Sequence, residues 1–559
     1  MASETGAILK SWRGRLRVGL VYPNTYHVGM SNLGFQTVYR RLNLMPQVVC
    51  ERVFLPDPAD GPPPPVSIES RRPLADFDVV AFSISFESDY PHVLEIIGGA
   101  GFPLMTRERS ADHPLVAAGG VACMLNPEPL SAFIDCFLIG EAEALLDPFF
   151  SRFDPEADRR EMLKTLARDV KGVYVPIFYD VQYREDGTLR SFSPAAAVPR
   201  IIERAVAENL PDPPAASAVL TPHTTFDRTY LIEVGRGCPH GCRFCAAGYI
   251  YRPPRFHSVE NLRRSMADGA ALSDKIGLVG AAVSDLPGIT SLCADYHGGK
   301  TRISFSSLRA DALAPELMET LRQSGVKTAT IAPDAGSERM RKVINKGIDE
   351  AAVLNAAETL VAEGIPNLKL YFMVGLPSED MADVEAIVTL CKRIKHRFLE
   401  SSRTRGRIGD ITVSLNSFVP KPMTPFQWAA MDEIALLKEK IGRVKDGLKR
   451  LPNVRFHHDV PRHAYFQALM SRGDRRVSVI LAALHQNGGN WAKTLKSSPV
   501  NADFFVVRAR ETDEMLPWDF IDHGISKSFL ADEYRRALAG KASPPCPMAD
   551  GCAMCGVCG

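Results

Sequence analysis

No apolar run in the 559 residues reaches the roughly 20 that a membrane-spanning helix requires. The opening segment, MASETGAILKSWRGRLRVGL, has no continuous apolar stretch of the kind a secretory signal carries. A cytoplasmic location without membrane contact is therefore expected, where thiols stay reduced. Charge of one sign is missing too: 66 basic residues against 65 acidic ones leave a net +1. No large field points to nucleic acid or a lipid surface, although a local basic groove for RNA stays compatible with that balance. An apolar content of 45% and a charged content of 23% are those of an ordinary globular protein, and the length suits two to four domains.

Cysteine is unevenly spread. Five of the twelve, Cys50, Cys123, Cys136, Cys293 and Cys391, are scattered and read as small buried hydrophobes. Three more, Cys238, Cys242 and Cys245, sit in VGRGCPHGCRFCA with C-x3-C-x2-C spacing, just past the apolar stretch Tyr230–Val234. Three thiolates on so short a loop can hold three irons of a four-iron cluster. What the loop lacks is a fourth cysteine, so one iron is left open to a substrate or cosubstrate. A zinc knuckle fits less well, because structural zinc favours four protein ligands.

That spacing, with Phe244 before the last cysteine, resembles the signature of the radical S-adenosylmethionine (SAM) enzymes. The resemblance implies a [4Fe-4S] cluster whose open iron chelates SAM, and reductive cleavage to a 5′-deoxyadenosyl radical that abstracts hydrogen from a substrate. It also implies an electron donor of the flavodoxin or ferredoxin type. No catalytic side chain is assigned beyond the cluster.

Upstream, RLRVGLVYP, FDVVAFSIS, HPLVAAGGVA and CFLIGEAE read as buried strands separated by helical stretches, an open α/β sheet with its ligand at the carboxyl ends of the strands. The proline run Pro62–Pro65 reads as an exposed loop. This order resembles the cobalamin-binding-type domain that precedes many radical SAM domains, through Ser83-Ile84-Ser85, Gly119-Gly120, Asn126-Pro127-Glu128-Pro129 and Ile139-Gly140-Glu141. The D-x-H-x-x-G motif that supplies an imidazole to cobalt is absent, and the equivalent stretch reads NTYHVGMSNLG with His27. Two readings stay open: cobalamin bound without a histidine ligand, or the fold kept without catalytic cobalamin, with the second preferred.

From 226 to 420 the pattern repeats strand then helix six times: RTYLIEV, KIGLVGAAV, TRISFSS, KTATIAP, NLKLYFMV and DITVSLNSF. Six units imply a partial TIM-type (β/α)6 barrel with active groups at the strand carboxyl ends. The resemblance places SAM contacts there. Gly280-Ala281-Ala282 stands where the family often has Gly-Gly-Glu beside the amino group, so backbone carbonyls are expected to replace the missing glutamate. Ser284-Asp285 reads equally as a helix cap or a functional pair. Arg309 suits the carboxylate. Asp334, within Ala332–Glu338 and ahead of Lys346-Gly347, suits the ribose hydroxyls. Gly375-Leu376-Pro377 resembles the turn that meets adenine.

The organisation expected is a Rossmann-like domain over 1–150, a connector over 151–225, the barrel over 226–420, a small α+β region over 421–545 and a metal-binding tail over 546–559. In the α+β region Thr424–Trp428 reads as a packing clamp, and His457-His458, His485 and His523 are candidate acid/base groups with nothing tying them together. The tail, CPMADGCAMCGVCG, puts Cys546, Cys552, Cys555 and Cys558 within thirteen residues. It is expected to bind a second iron–sulfur cluster, or zinc, and to dock near the barrel mouth. It resembles the tail of an uncharacterised radical SAM subgroup that also carries PNTY-x-VGMSNLG and FVPKP. The functions implied are methylthiotransferase-like or methyltransferase-like, acting on RNA or protein. The competing class is a non-enzymatic cobalamin- or metal-responsive binding module.

Overall fold

The structure, a computed structural model, describes residues 3–56, 64–296, 298–403, 408–549 and 551–558. The N-terminal sheet contains β1 (Leu16–Tyr22), β2 (Val48–Phe54), β3 (Val79–Ser83), β4 (Leu115–Gly119), β5 (Cys136–Leu138) and β6 (Val173–Tyr174), in the order 2-1-3-4-5-6. All neighbours are parallel except β5 and β6. Val18–Tyr22 and all of β2 are buried, as expected for parallel strands covered on both faces. Asn32 caps the helix Leu33–Leu44 by accepting the Phe35 amide. The strand order reverses between β1 and β3, which opens a crevice at the carboxyl ends. Gly120, at the end of β4, has φ +104°, and a Cβ there would lie 2.4 Å from the Ile84 carbonyl oxygen, so only glycine fits.

β6 lies in the segment expected to be a connector, so the N-terminal sheet runs past residue 150. The rest of that segment holds the hairpin Tyr179–Tyr183 with Leu189–Pro194 around the EDG turn. Of the proline run, Pro62 and Pro63 lie outside the described residues, Pro64 is exposed and Pro65 is buried.

All six expected barrel strands are present: Tyr230–Glu233, Lys275–Val279, Arg302–Phe305, Thr328–Asp334, Asn367–Val374 and Ile411–Ser417. They are parallel within two groups of three, with no ladder between the third and fourth among the described residues. A seventh, Val454–His458, pairs parallel with the sixth. It falls in the region assigned to the C-terminal part because it is short and mostly exposed, and its apolar pattern is correspondingly weak.

The C-terminal region is largely helical and fastens the two sheets together. Its short strand Ile521–Asp522 pairs with Ile202–Glu203 of the connector. Lys421, in the FVPKP stretch, reaches both oxygens of buried Glu87 at 2.7 and 2.8 Å. Burial alone would raise the Glu87 carboxyl, but Lys421 outweighs it and holds it below the usual range. Phe426 and Trp428 are fully buried, and Gln427 accepts the Trp518 indole N–H at 2.7 Å. The Thr424–Trp428 cluster is thus a packing clamp. Among the described residues no helix is long and apolar enough to cross a membrane.

Candidate active site

The first barrel strand runs directly into the cysteine loop. Gly237 (φ +83°) makes the turn, where a Cβ would lie 2.8 Å from the Tyr251 carbonyl oxygen. Behind the loop, Arg243 is fully buried and uses its guanidinium on the Lys342 and Val343 carbonyls, Glu533, the Lys541 carbonyl and Ser543, at 2.8–3.0 Å. Asn345 donates to the Gly241 carbonyl at 3.1 Å, and His240 Nε2 meets Asp285 Oδ1 at 2.9 Å. The loop is therefore held from both sides by residues distant in sequence.

Cys238, Cys242 and Cys245 feel one another's charge. Burial pushes Cys238 up to about 11 and Cys242 up to about 12, and raises Cys245 as well. Backbone N–H groups oppose this, from His240 onto Cys238 and from Ala247 and Gly248 onto Cys245. Donors aimed at sulfur suit thiolates, and a bound metal deprotonates a coordinating thiol outright. This donor set fits a thiolate-held cluster. Among the described residues no group of three Cys, His, Asp or Glu side chains is drawn together around a single-ion position.

The ends of the third and fourth strands bring Arg309, Asp334 and Lys346 within electrostatic reach of Cys242. Asp334 has φ +61° at a register shift in the fourth strand, an uncommon conformation for a non-glycine residue. Its Oδ2 meets Lys346 Nζ at 2.6 Å. Burial raises the Asp334 carboxyl, and Lys346 and then Arg309 pull it back. Arg309 is paired through Nε and Nη2 with Asp311 at 2.9 and 2.8 Å, within electrostatic reach of Cys242 and Asp285. The Gly375 amide donates to Glu379, which with Asp432 brackets nearly buried Lys440 at 2.8 and 2.7 Å.

The Gly280 carbonyl accepts the hydroxyls of Ser306 and Ser307, at 2.9 and 3.0 Å, so both its lone pairs are engaged. Asp285 has instead a buried second oxygen, Oδ2, without a hydrogen-bond partner. It is the acidic group of this strand end, and its role was undecidable in sequence because Ser284-Asp285 also matches a helix cap.

Between the two domains lies a cavity of about 500 Å³. Its N-terminal wall is formed by Asn32, Ser83, Ser85 and Gly119–Val121, and its barrel wall by Arg236, Gly237, Tyr251, Gly280 and Ala281. Among the described residues no histidine lines it. His27 points elsewhere, 3.2 Å from Thr225 Oγ1 on the exterior. One rim is charged: Arg236 meets Glu141, Glu143 and Glu233 at 3.2, 2.8 and 2.9 Å. The other candidate histidines are scattered. His457 and His458 are exposed on the seventh strand, His485 packs over Gly98, and His523 is buried against the Met124 carbonyl at 2.8 Å.

Two family models match the chain: radical SAM proteins, N-terminal, over residues 34–176, and the radical SAM superfamily over 232–391. The chain belongs to the radical SAM superfamily. This radical SAM protein is 29% identical over 468 residues to the uncharacterized protein MJ0966 of Methanocaldococcus jannaschii, covering 83% of this chain and 90% of that one. Among solved structures it resembles the radical SAM methyltransferase TsrM of Kitasatospora setae, described with cobalamin and a [4Fe-4S] cluster bound. That match has a TM-score of 0.51 and 11% identity, and covers 87% of this chain and all of that one. It shows a shared fold. The cobalamin-dependent enzyme OxsB matches at a TM-score of 0.46 and 17% identity, over 70% of this chain. The chain spans 56% of OxsB's length.

Proposed function

We propose that this radical SAM protein is a cytoplasmic enzyme that binds SAM at the barrel mouth and a corrinoid in the interdomain cavity, and transfers a methyl group to an RNA or protein substrate. The observation that carries this reading is the cavity itself. It joins the carboxyl ends of an open 2-1-3-4-5 parallel sheet, where such sheets bind ligands, to Gly280-Ala281 of the barrel.

Cys238, Cys242 and Cys245 would hold the [4Fe-4S] cluster, with backbone donors on two of the three sulfurs. Cluster and SAM, when bound, supply hydrogen-atom abstraction or methyl donation, chemistry that belongs to the cofactors. The chain's residues bind and orient. The open oxygen of Asp285 would take an ammonium, and Arg309 would take a carboxylate beside it. Asp334 Oδ1 would accept ribose hydroxyls while Lys346 keeps Oδ2, and Gly375-Leu376 would line the adenine. Ser83 and Gly119-Gly120 would floor the corrinoid. Among the described residues no imidazole reaches that floor, so the cobalt would take no histidine ligand from them. The charged rim around Arg236 would close the cavity to water. Sulfur insertion is less well supported, because no tail cysteine lines the cavity.

The test is anaerobic reconstitution with cobalamin, iron and sulfide, then reduction with SAM present. About one corrinoid per chain, with 5′-deoxyadenosine or S-adenosylhomocysteine formed, is expected. SAM cleavage without corrinoid retention overturns the cobalamin part. Corrinoid retention without SAM turnover favours the binding-module reading.

A further inference from the structure

The tail cysteines are brought together in the fold. Cys546, Cys552, Cys555 and Cys558 all line one small cavity of about 30 Å³. Besides the tail itself, its wall combines Gly241, Tyr249 and Arg252 on the back of the cysteine loop with Asn345 and with Phe529 and Glu533 of the helix Lys527–Leu538. Cys555 is buried at 5% exposure, and its carbonyl accepts the Ser526 amide at 2.9 Å, which fastens the tail to the start of the helix Lys527–Leu538. The Cys546 amide donates to the Pro239 carbonyl at 2.8 Å. Ser543, just upstream, donates its amide to Asn345, the same side chain that holds Gly241.

The loop is divided between two spaces. Gly237, Ala247 and Tyr251 face the interdomain cavity, whereas Gly241, Tyr249 and Arg252 face the tail cavity, and the two share no lining residue. The tail therefore docks at the loop on the side away from the large cavity.

We propose that the four tail cysteines hold a second four-iron cluster, ligated at every iron, that passes electrons into the loop cluster. Four thiolates suffice for a [4Fe-4S] centre, and C-x2-C-x2-C with a fourth cysteine apart follows the ferredoxin pattern. Full ligation leaves no iron for substrate. The connection inward is short: Cys546 is joined by one hydrogen bond to Pro239, the residue next to Cys238. A one-electron protein donor of the flavodoxin or ferredoxin type is oxidised by one electron, the tail centre carries that electron, and the loop centre is reduced by one. No covalent bond forms or breaks in the relay. This rests on the loop holding a cluster, but the tail site is tested without it.

The experiment uses two full-length variants, reconstituted without oxygen. The first carries Cys238→Ala, Cys242→Ala and Cys245→Ala; the second carries Cys546→Ser, Cys552→Ser, Cys555→Ser and Cys558→Ser. The first is expected to retain about four irons and four sulfides per chain, with a paramagnetic signal on dithionite reduction. The second is expected to fall from about eight irons to about four. Its loop centre should be reduced at least tenfold more slowly by a flavodoxin than the wild-type centre, while dithionite still reduces it. Zinc in place of iron in the first variant, or unchanged iron in the second, overturns the second cluster. Equal reduction rates by flavodoxin overturn the relay. If the loop cluster alone is misassigned, wild type and first variant both hold about four irons, and the tail cluster stands.

Discussion

Arg236 and Glu143 meet fork to fork, Nη1 to Oε2 at 3.0 Å and Nη2 to Oε1 at 2.8 Å, across the boundary between the cysteine loop and the N-terminal sheet. Both side chains are close to buried, and Arg236 also serves Glu233 and Glu141. Arg236→Ala leaves the nearly buried Glu143 without its cation, beside Glu233 and beside Glu141, which keeps only Arg255. The expected cost is about 3–5 kcal/mol, read as a shift in urea denaturation midpoint. An unchanged midpoint would show that the domains are held together elsewhere.

Each loop cysteine is expected to be indispensable. Cys238→Ala, Cys242→Ala or Cys245→Ala should bring 5′-deoxyadenosine formation below detection and lower the iron content. Wild-type turnover in any one of the three would remove the cluster from the loop.

Asp334→Asn keeps the side chain's shape while removing its charge. Because Lys346 occupies Oδ2, one oxygen is left for SAM, and losing a charged hydrogen bond there should weaken binding by about 1.5–3 kcal/mol. Equilibrium dialysis of SAM against reconstituted protein measures this. Equal affinity would mean the carboxylate serves only as the partner of Lys346.

Ala142, half-buried in the wall of the large cavity, is the site for an occlusion test. Ala142→Trp should lower corrinoid retention at least tenfold with little change in thermal midpoint. Full retention in this variant would place the corrinoid elsewhere.

His523 provides a pH test. Burial, with the positive charge of Arg204 beside it, pushes its imidazole down to about 3. The unfolded chain therefore binds a proton that the folded chain refuses. The stability is fully present above about pH 6.5 and is lost as the pH falls toward 3. Between pH 7.5 and 5.5 the loss from this group should be about 1.4 kcal/mol. His523→Gln should remove that part of the slope in denaturation midpoints, and an identical slope in the variant would assign it to other groups.

What the sequence determined alone was local. The three loop cysteines, the six barrel strands and the density of thiols in the tail are legible because spacing and periodicity act over a few residues. The buried strands β1, β3 and β4 read correctly for the same reason. The tertiary structure decided what joins segments far apart in the chain. Glu143 is 93 residues from Arg236, and His523 is 399 from Met124. No local pattern says which carboxylate meets which guanidinium. The same holds for Asp285, whose open oxygen follows from His240 occupying only its neighbour. That Ser306 and Ser307, just past the next strand, occupy the Gly280 carbonyl is likewise visible only in the fold. The tail shows the division most clearly. The density of its cysteines is plain from composition, but their seat behind Pro239 and Gly241, away from the large cavity, exists only once the helix Lys527–Leu538 has packed against the loop through Arg243 and Glu533.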